Sequence, residues 1–182
     1  HVKRNWSEPE LDEAWLLSPA ELEFVTNRSA AGRLGVALQL KMLPFAGRFF
    51  EAANELAPVV VRFVAQQVGV HPKLLNEYDV EGRSAKRDRS AIRKHLGWRQ
   101  ATETDHAAMS SWLRSEVLMG APEPKHLADI ALSWYRDRKI ETPAQANCER
   151  YIRAAVSNFE NDLIASIAAR LPDESRRSID EL

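Results

Sequence analysis

Apolar residues along this chain recur at the three-to-four-residue spacing of helices and almost never at the alternation of strands. The exception is Val59-Val60-Val61. It sits in a longer run where Val60, Phe63, Val64 and Val68 take helical spacing behind Pro58, a residue suited to a first helical turn. Ser18-Pro19-Ala20-Glu21 has the form of a capping box with proline at the first helical position. Residues 29–43 predict a helix that is apolar nearly all round, through Leu34, Val36, Ala37, Leu38, Leu40, Met42 and Leu43. A helix without a polar face belongs at the centre of a bundle. Pro72 opens a short helix expected to end near Gly82. The whole reading gives about nine helices and no sheet.

Beyond residue 100 the period persists. Gln100–Asp105 is a polar break in which Thr102 or Thr104 can cap a helix carrying Ala108, Trp112, Leu113 and Val117. Residues 120–124 (GAPEP) form a loop. Leu127, Ile130, Ala131 and Trp134 make a helical stripe ending near Arg138. Residues 139–142 (KIET) read as a four-residue turn, with Thr142-Pro143 as cap and first helical position of the next helix. That helix buries Cys148, Tyr151, Ile152, Ala155 and Phe159 and turns Glu149, Arg150, Arg153 and Ser157 outward. Helix, short turn and helix with outward arginines fits a helix-turn-helix DNA reader, and also any helical hairpin. The expected fold is therefore all-α, with two small helical bundles, each with a helix-turn-helix-like unit. Residues 1–99 form the first module and 100–182 the second, with its helix-turn-helix-like unit at 126–157.

Charge changes this picture most in residues 83–99. They hold seven of the 25 lysines and arginines and one acid, a local charge of +6 in a chain whose total is −1. The flanking stretches are acidic, so the segment marks a surface suited to a polyanion. It also reads as a helix, about 83–97, at about 100° per residue. Ala85, Ile92 and Leu96 form its core edge, Lys86, Arg89 and Arg93 line one flank, and Arg87 and Lys94 lie beyond. Ser84 can cap its start and Gly97 its end. A helix built only for solubility would mix glutamate with its cations.

The remaining chemistry mostly excludes. With 45% hydrophobic and 28% charged residues the composition is that of a globular protein, and no apolar run approaches a membrane span. The single Cys148 rules out an internal disulfide and a paired-cysteine metal knuckle, and its apolar face makes it a core residue rather than a nucleophile. No phosphate-binding glycine loop, zinc-protease motif or nucleophile elbow occurs. His1, His71, His95, His106 and His126 lack metal-ligand spacing, and the acids single out no catalytic pair. No metal, cofactor or catalytic residue is expected. Trp6, Trp15, Trp112 and Trp134 are core candidates. Trp98 either packs on a sugar or closes the hydrophobic edge, and packing is favoured. No secretory signal opens the chain. Its first residue is His, so it reads as a fragment, intracellular by default.

Five segments in order also match a known family: LLSPAELEFV (16–25), RLGVALQLKMLPFAGRFF (33–50), VVVRFVAQQVGV (59–70), EYDVEGRSAKRDRSAIRKHLGWRQAT (77–102) and RKIETPAQANCERYIRAAVSNFENDL (138–163). The chain resembles the N-terminal region of Tn3-family transposases, a helical segment catalogued as a domain of unknown function. The family pattern around the basic helix appears here as Tyr78, Gly82-Arg83-Ser84, Asp88-Arg89, Ile92-Arg93 and Leu96-Gly97-Trp98-Arg99. Asp88 stands where the family has His. An acid facing DNA repels phosphate, so Asp88 either faces away or accepts from a neighbouring arginine or a cytosine amine.

The resemblance implies binding to double-stranded DNA, the transposon terminal inverted repeats. It also implies an RNase H-like catalytic core downstream, with its acidic triad and divalent metal, so this part should bind DNA without cutting it. Its other partner would be the remainder of the transposase chain, in a bacterial cytoplasm at the nucleoid, with no membrane role. The expected DNA-binding residues are Arg83, Lys86, Arg87, Arg89, Arg93, Lys94 and Arg99 in the first module, and Arg138, Lys139, Arg150 and Arg153 in the second. Most would neutralise phosphates, while Arg89, Arg93 and Arg150 reach guanine edges. Two other classes remain open at this level: a helical protein-interaction module meeting an acidic partner, and a small helical enzyme recognisable by a deep polar pocket.

Overall fold

The computed structural model describes Lys3 and residues 5–170. The architecture is predominantly α-helical. Eight α-helices lie among the described residues: α1 Glu8–Trp15, α2 Pro19–Thr26, α3 Ala30–Ala46, α4 Pro58–Gln67, α5 Arg83–Leu96, α6 Glu103–Trp112, α7 Leu127–Asp137 and α8 Gln145–Arg170. The expectation of no sheet is corrected in one place. Two-residue strands β1 (Arg99–Gln100) and β2 (Ile140–Glu141) pair in parallel, Arg99 opposite Ile140 and Gln100 opposite Glu141. The described residues divide into two compact units. One holds those up to Gln100 together with Arg136–Thr142, and the other holds Ala101–Tyr135 and those from Pro143 onward.

The first unit is built around α3. Ser29 caps that helix, its Oγ accepting from the Gly32 N–H at 3.2 Å. Leu34 through Leu40 are all buried, as the all-apolar pattern requires. The helix runs past the expected stop at Leu43, through Pro44 to Ala46. Gly47, at φ 74°, then ends it, its N–H donating to the Leu43 carbonyl at 2.8 Å. Around α3 pack Trp15 from α1, Val25 from α2, Val60 and Val64 from α4, Ile92 from α5, and Trp98. Trp98 thus closes the hydrophobic edge. Ser18 and Glu21 form the expected capping box, and Pro58 opens α4. The helix expected from Pro72 to Gly82 is shorter, a 3-10 helix over Pro72–Glu77.

Two close fits place the basic helix. Gly35 of α3 lies under the Tyr78 ring, where a Cβ would stand 2.2 Å from Tyr78 Cγ. Gln39 is fully buried within the apolar stretch of that helix. Its side-chain amide donates to the Phe50 carbonyl at 3.1 Å, and its Oε1 accepts from the Phe50 N–H at 3.0 Å. Both backbone groups of Phe50 are satisfied without a helix or strand, which fixes the turn bearing Phe49.

Residues 136–142 close the first unit. Arg136 Nη1 donates to the Phe45 carbonyl at 3.1 Å, and the Thr142 N–H and Oγ1 donate to the Gly47 carbonyl at 2.7 and 3.2 Å. Thr142 is therefore a tertiary tie, not the cap of the next helix, and α8 begins at Gln145. The expected four-residue turn is also revised. Arg138–Ala144 separate α7 from α8 and include β2, a longer connection than the turn of a helix-turn-helix.

In the second unit Thr102 caps α6 through a box with Asp105. The helix continues as a π-turn over Leu113–Val117. Met109, Leu113, Ala131, Trp134, Tyr135, Cys148, Ile152 and Ala155 are buried, as their helical spacing requires. The Tyr135 hydroxyl and His106 Nδ1 are 2.7 Å apart, and His106 stacks on Tyr151 with ring centres 4.4 Å apart.

Candidate nucleic-acid interface

The basic segment forms α5 by local rules. Asp79 Oδ1 accepts from the Glu81 and Gly82 N–H groups at 3.1 and 3.0 Å, a turn that delivers the chain to the helix start. Gly82, not Ser84, is the N-cap, and Ser84 lies inside the first turn. Arg93, Lys94 and His95 occupy the last turn, where cations complement the helix dipole. Gly97, at φ 70°, closes the end. Ala85 and Ile92 are fully buried and Leu96 packs beside them, so the helix phase follows the sequence pattern.

That phase sorts the cations into two sets. Arg83, Lys86, Arg87 and Lys94 are exposed. Arg89 and Arg93 are half-buried, and both guanidinium groups stand 5.7 Å from the ring of Phe49. Arg89 Nη2 donates to the Val80 carbonyl at 2.9 Å, while its buried Nε has no partner. Arg93 Nη1 donates to Glu141 Oε2 at 2.8 Å. Two of the three arginines expected to reach bases, Arg89 and Arg93, are thus engaged by the protein itself. Asp88 accepts from Arg28 Nε at 3.3 Å, and the Arg28 guanidinium also lies 4.7 Å from the Phe24 ring. The Asp88 charge is therefore met inside the unit, and no acid stands among the exposed residues of α5. Tyr78 sits between α3 and α5, and its hydroxyl is pushed up to about 12, first by burial and then by the Asp88 charge.

The strand pair gathers residues that lie far apart in sequence. The Arg99 N–H donates to the Lys139 carbonyl at 3.1 Å, so β1 sets exposed Arg99 beside the turn carrying exposed Arg138 and Lys139. Lys139 takes a left-handed φ of 52° in that turn. Arg138 and Lys139, expected in the second module, belong with the basic helix in the first unit. In the second unit Arg150 and Arg153 are exposed on α8, and the Arg150 guanidinium lies 5.1 Å from the Tyr151 ring. Sequence reasoning missed Arg28, Gln39, Phe49 and Glu141. Only Gln39 carried a signal, as a polar residue on a helix with no polar face. Among the described residues no three histidine, cysteine, aspartate or glutamate side chains are grouped to hold a metal ion, and no helix is long and apolar enough to cross a membrane.

Fold and site together define a predominantly α-helical chain with one cationic helix face. Residues 1–155 match the family described as domain of unknown function DUF4158, and the chain belongs to that family. It is also similar to the transposase for transposon gamma-delta of Escherichia coli (strain K12), 25% identical over 161 residues, covering 87% of this chain and 16% of the relative. The transposase for transposon Tn1546 of Enterococcus faecium is 23% identical over 176 residues, covering 93% and 18%. The transposase for transposon Tn21 of Escherichia coli is 26% identical over 155 residues, covering 85% and 16%. The chain thus spans about a sixth of the length of the curated relatives it matches. The resemblance to Tn3-family transposases read from the five segments holds across most of the chain.

Proposed function

We propose that this chain is the DNA-binding, non-cleaving part of a Tn3-family transposase and that it holds the terminal inverted repeats of its transposon. The observation that carries the reading is the outward face of α5, where Arg83, Lys86, Arg87 and Lys94 stand exposed with no acid among them. An all-cationic face along a helix about 21 Å long suits a duplex groove and the phosphates that flank it. Arg99, Arg138 and Lys139 extend the cationic set within the same unit. Arg150 and Arg153 give the second unit its own contacts, and two units on one duplex would add affinity through effective concentration. The acidic triad, its metal and the cutting chemistry belong, in this reading, to the remainder of the transposase.

A gel-shift titration tests the reading, using a duplex that carries a Tn3-family inverted repeat against a scrambled duplex of equal length. Preferential retardation of the repeat supports it. Binding to an acidic polypeptide but to neither duplex would instead favour a protein-interaction module. With Mg²⁺ or Mn²⁺ added, both duplexes should stay intact, and metal-dependent cleavage by the pure chain would overturn the non-cleaving assignment.

A further inference from the structure

Resting on that reading, we infer that Arg87 is the side chain of α5 that reads a guanine edge, and that Arg89 and Arg93 are positioning residues. The helix buries Ala85, Ile92 and Leu96 along one stripe. The opposite stripe, at spacings of four, three and four residues, is Arg83, Arg87, Ser90 and Lys94, and every member is exposed. A helix seated in a major groove turns that stripe to the groove floor and its flanks to the phosphate walls. Arg87 is the arginine near its middle. Arg83 stands four residues before it on the stripe, and the other residues around it are short: Ser84 three before, with Oγ 3.4 Å from Arg87 Nη2, Ser90 three after and Ala91 four after. Short side chains around a long planar one let the helix approach the bases while the guanidinium reaches a guanine with both of its donors. Lys86 lies toward the flank and faces a phosphate wall. Arg89 and Arg93 are turned farther round, where they bracket Phe49 and are held by the Val80 carbonyl and Glu141.

Selection from a pool of random duplexes by the whole chain tests the assignment. Wild type should enrich a sequence containing a fixed guanine. Arg87→Lys keeps the charge and loses the two-pronged donor, so it should bind the pool as tightly but lose roughly tenfold to a hundredfold of the preference for that guanine. Lys86→Ala should weaken binding to every sequence and keep the preferred one. Arg93→Lys, which keeps a cation opposite Glu141, should also keep it. If Arg87→Lys enriches the wild-type sequence to the same degree, or if Arg93→Lys alone loses it, the assignment is wrong. A wild-type chain that binds duplex without enriching any sequence overturns base reading and leaves backbone binding standing. A chain that binds no duplex at all removes the proposed function beneath it.

Discussion

Arg93 and Glu141 are joined through Nη1 and Oε2 at 2.8 Å across 48 residues of sequence, with side chains only 16% and 21% exposed. The pair ties the last turn of the basic helix to β2. Such shielding puts the interaction above that of a surface ion pair, and losing one partner leaves the other poorly solvated. Glu141→Gln and Arg93→Ala should each lower unfolding free energy by about 1–2 kcal/mol, with a coupling of about 1 kcal/mol between them. A double-mutant cycle by urea denaturation measures it, and strictly additive effects would show that the pair contributes nothing.

Gly35 and Tyr78 give a second test. Gly35→Ala places a methyl group where the Tyr78 ring now lies, 2.2–2.5 Å from its carbons, so the ring must shift. Overpacking of this kind costs about 1–3 kcal/mol. In a Tyr78→Ala background the clash is gone, and the same substitution should stabilise by up to about 1 kcal/mol, since alanine outranks glycine inside a helix. A loss of equal size in both backgrounds would mean that Tyr78 is not what excludes the methyl.

Cys148 is buried on α8, and burial pushes its thiol up from the ordinary range. A raised thiol pKa lowers the thiolate fraction at every pH below it, and the thiolate is the reacting species. In native buffer at pH 8 a thiol reagent should therefore label Cys148 far more slowly than in denaturant. Equal rates in the two conditions would place the thiol at the surface.

Salt dependence reports how many cations meet phosphate. If about five to seven do, log K should fall against log salt with a slope of roughly −4 to −6. Lys86→Ala should flatten that slope by about one, alike for cognate and scrambled duplex. Titrations at four salt concentrations suffice, and an unchanged slope would make Lys86 a solvated residue without a phosphate contact.

The helices were legible because their causes are local. The Ser18–Glu21 box, the Thr102-or-Thr104 cap, Pro58 at a first turn and the stripe Ala85–Ile92–Leu96 depend on neighbours within a few residues, and spacing alone reveals them. The basic island was legible for the same reason, as a count of charge along one segment. Its phase was nearly so. The buried stripe and the flank carrying Arg89 and Arg93 follow from spacing, but the groups that engage those two arginines, the Val80 carbonyl, Glu141 and Phe49, do not.

What composition and period could not supply was the partner of each side chain. Phe49 stands beneath two arginines because Gln39, ten residues earlier on another element, holds the Phe50 backbone. Residues 139–142 read as a turn between two helices, yet Ile140 and Glu141 pair with β1, Glu141 meets Arg93, and Thr142 meets the Gly47 carbonyl. A two-residue strand has no period to detect, and a backbone carbonyl awaiting a donor leaves no trace in the side-chain pattern. The sequence by itself therefore determined where helices form and where positive charge collects. Only tertiary structure decided which of those charges are engaged by the protein and which remain exposed, because that choice rests on contacts made across many tens of residues.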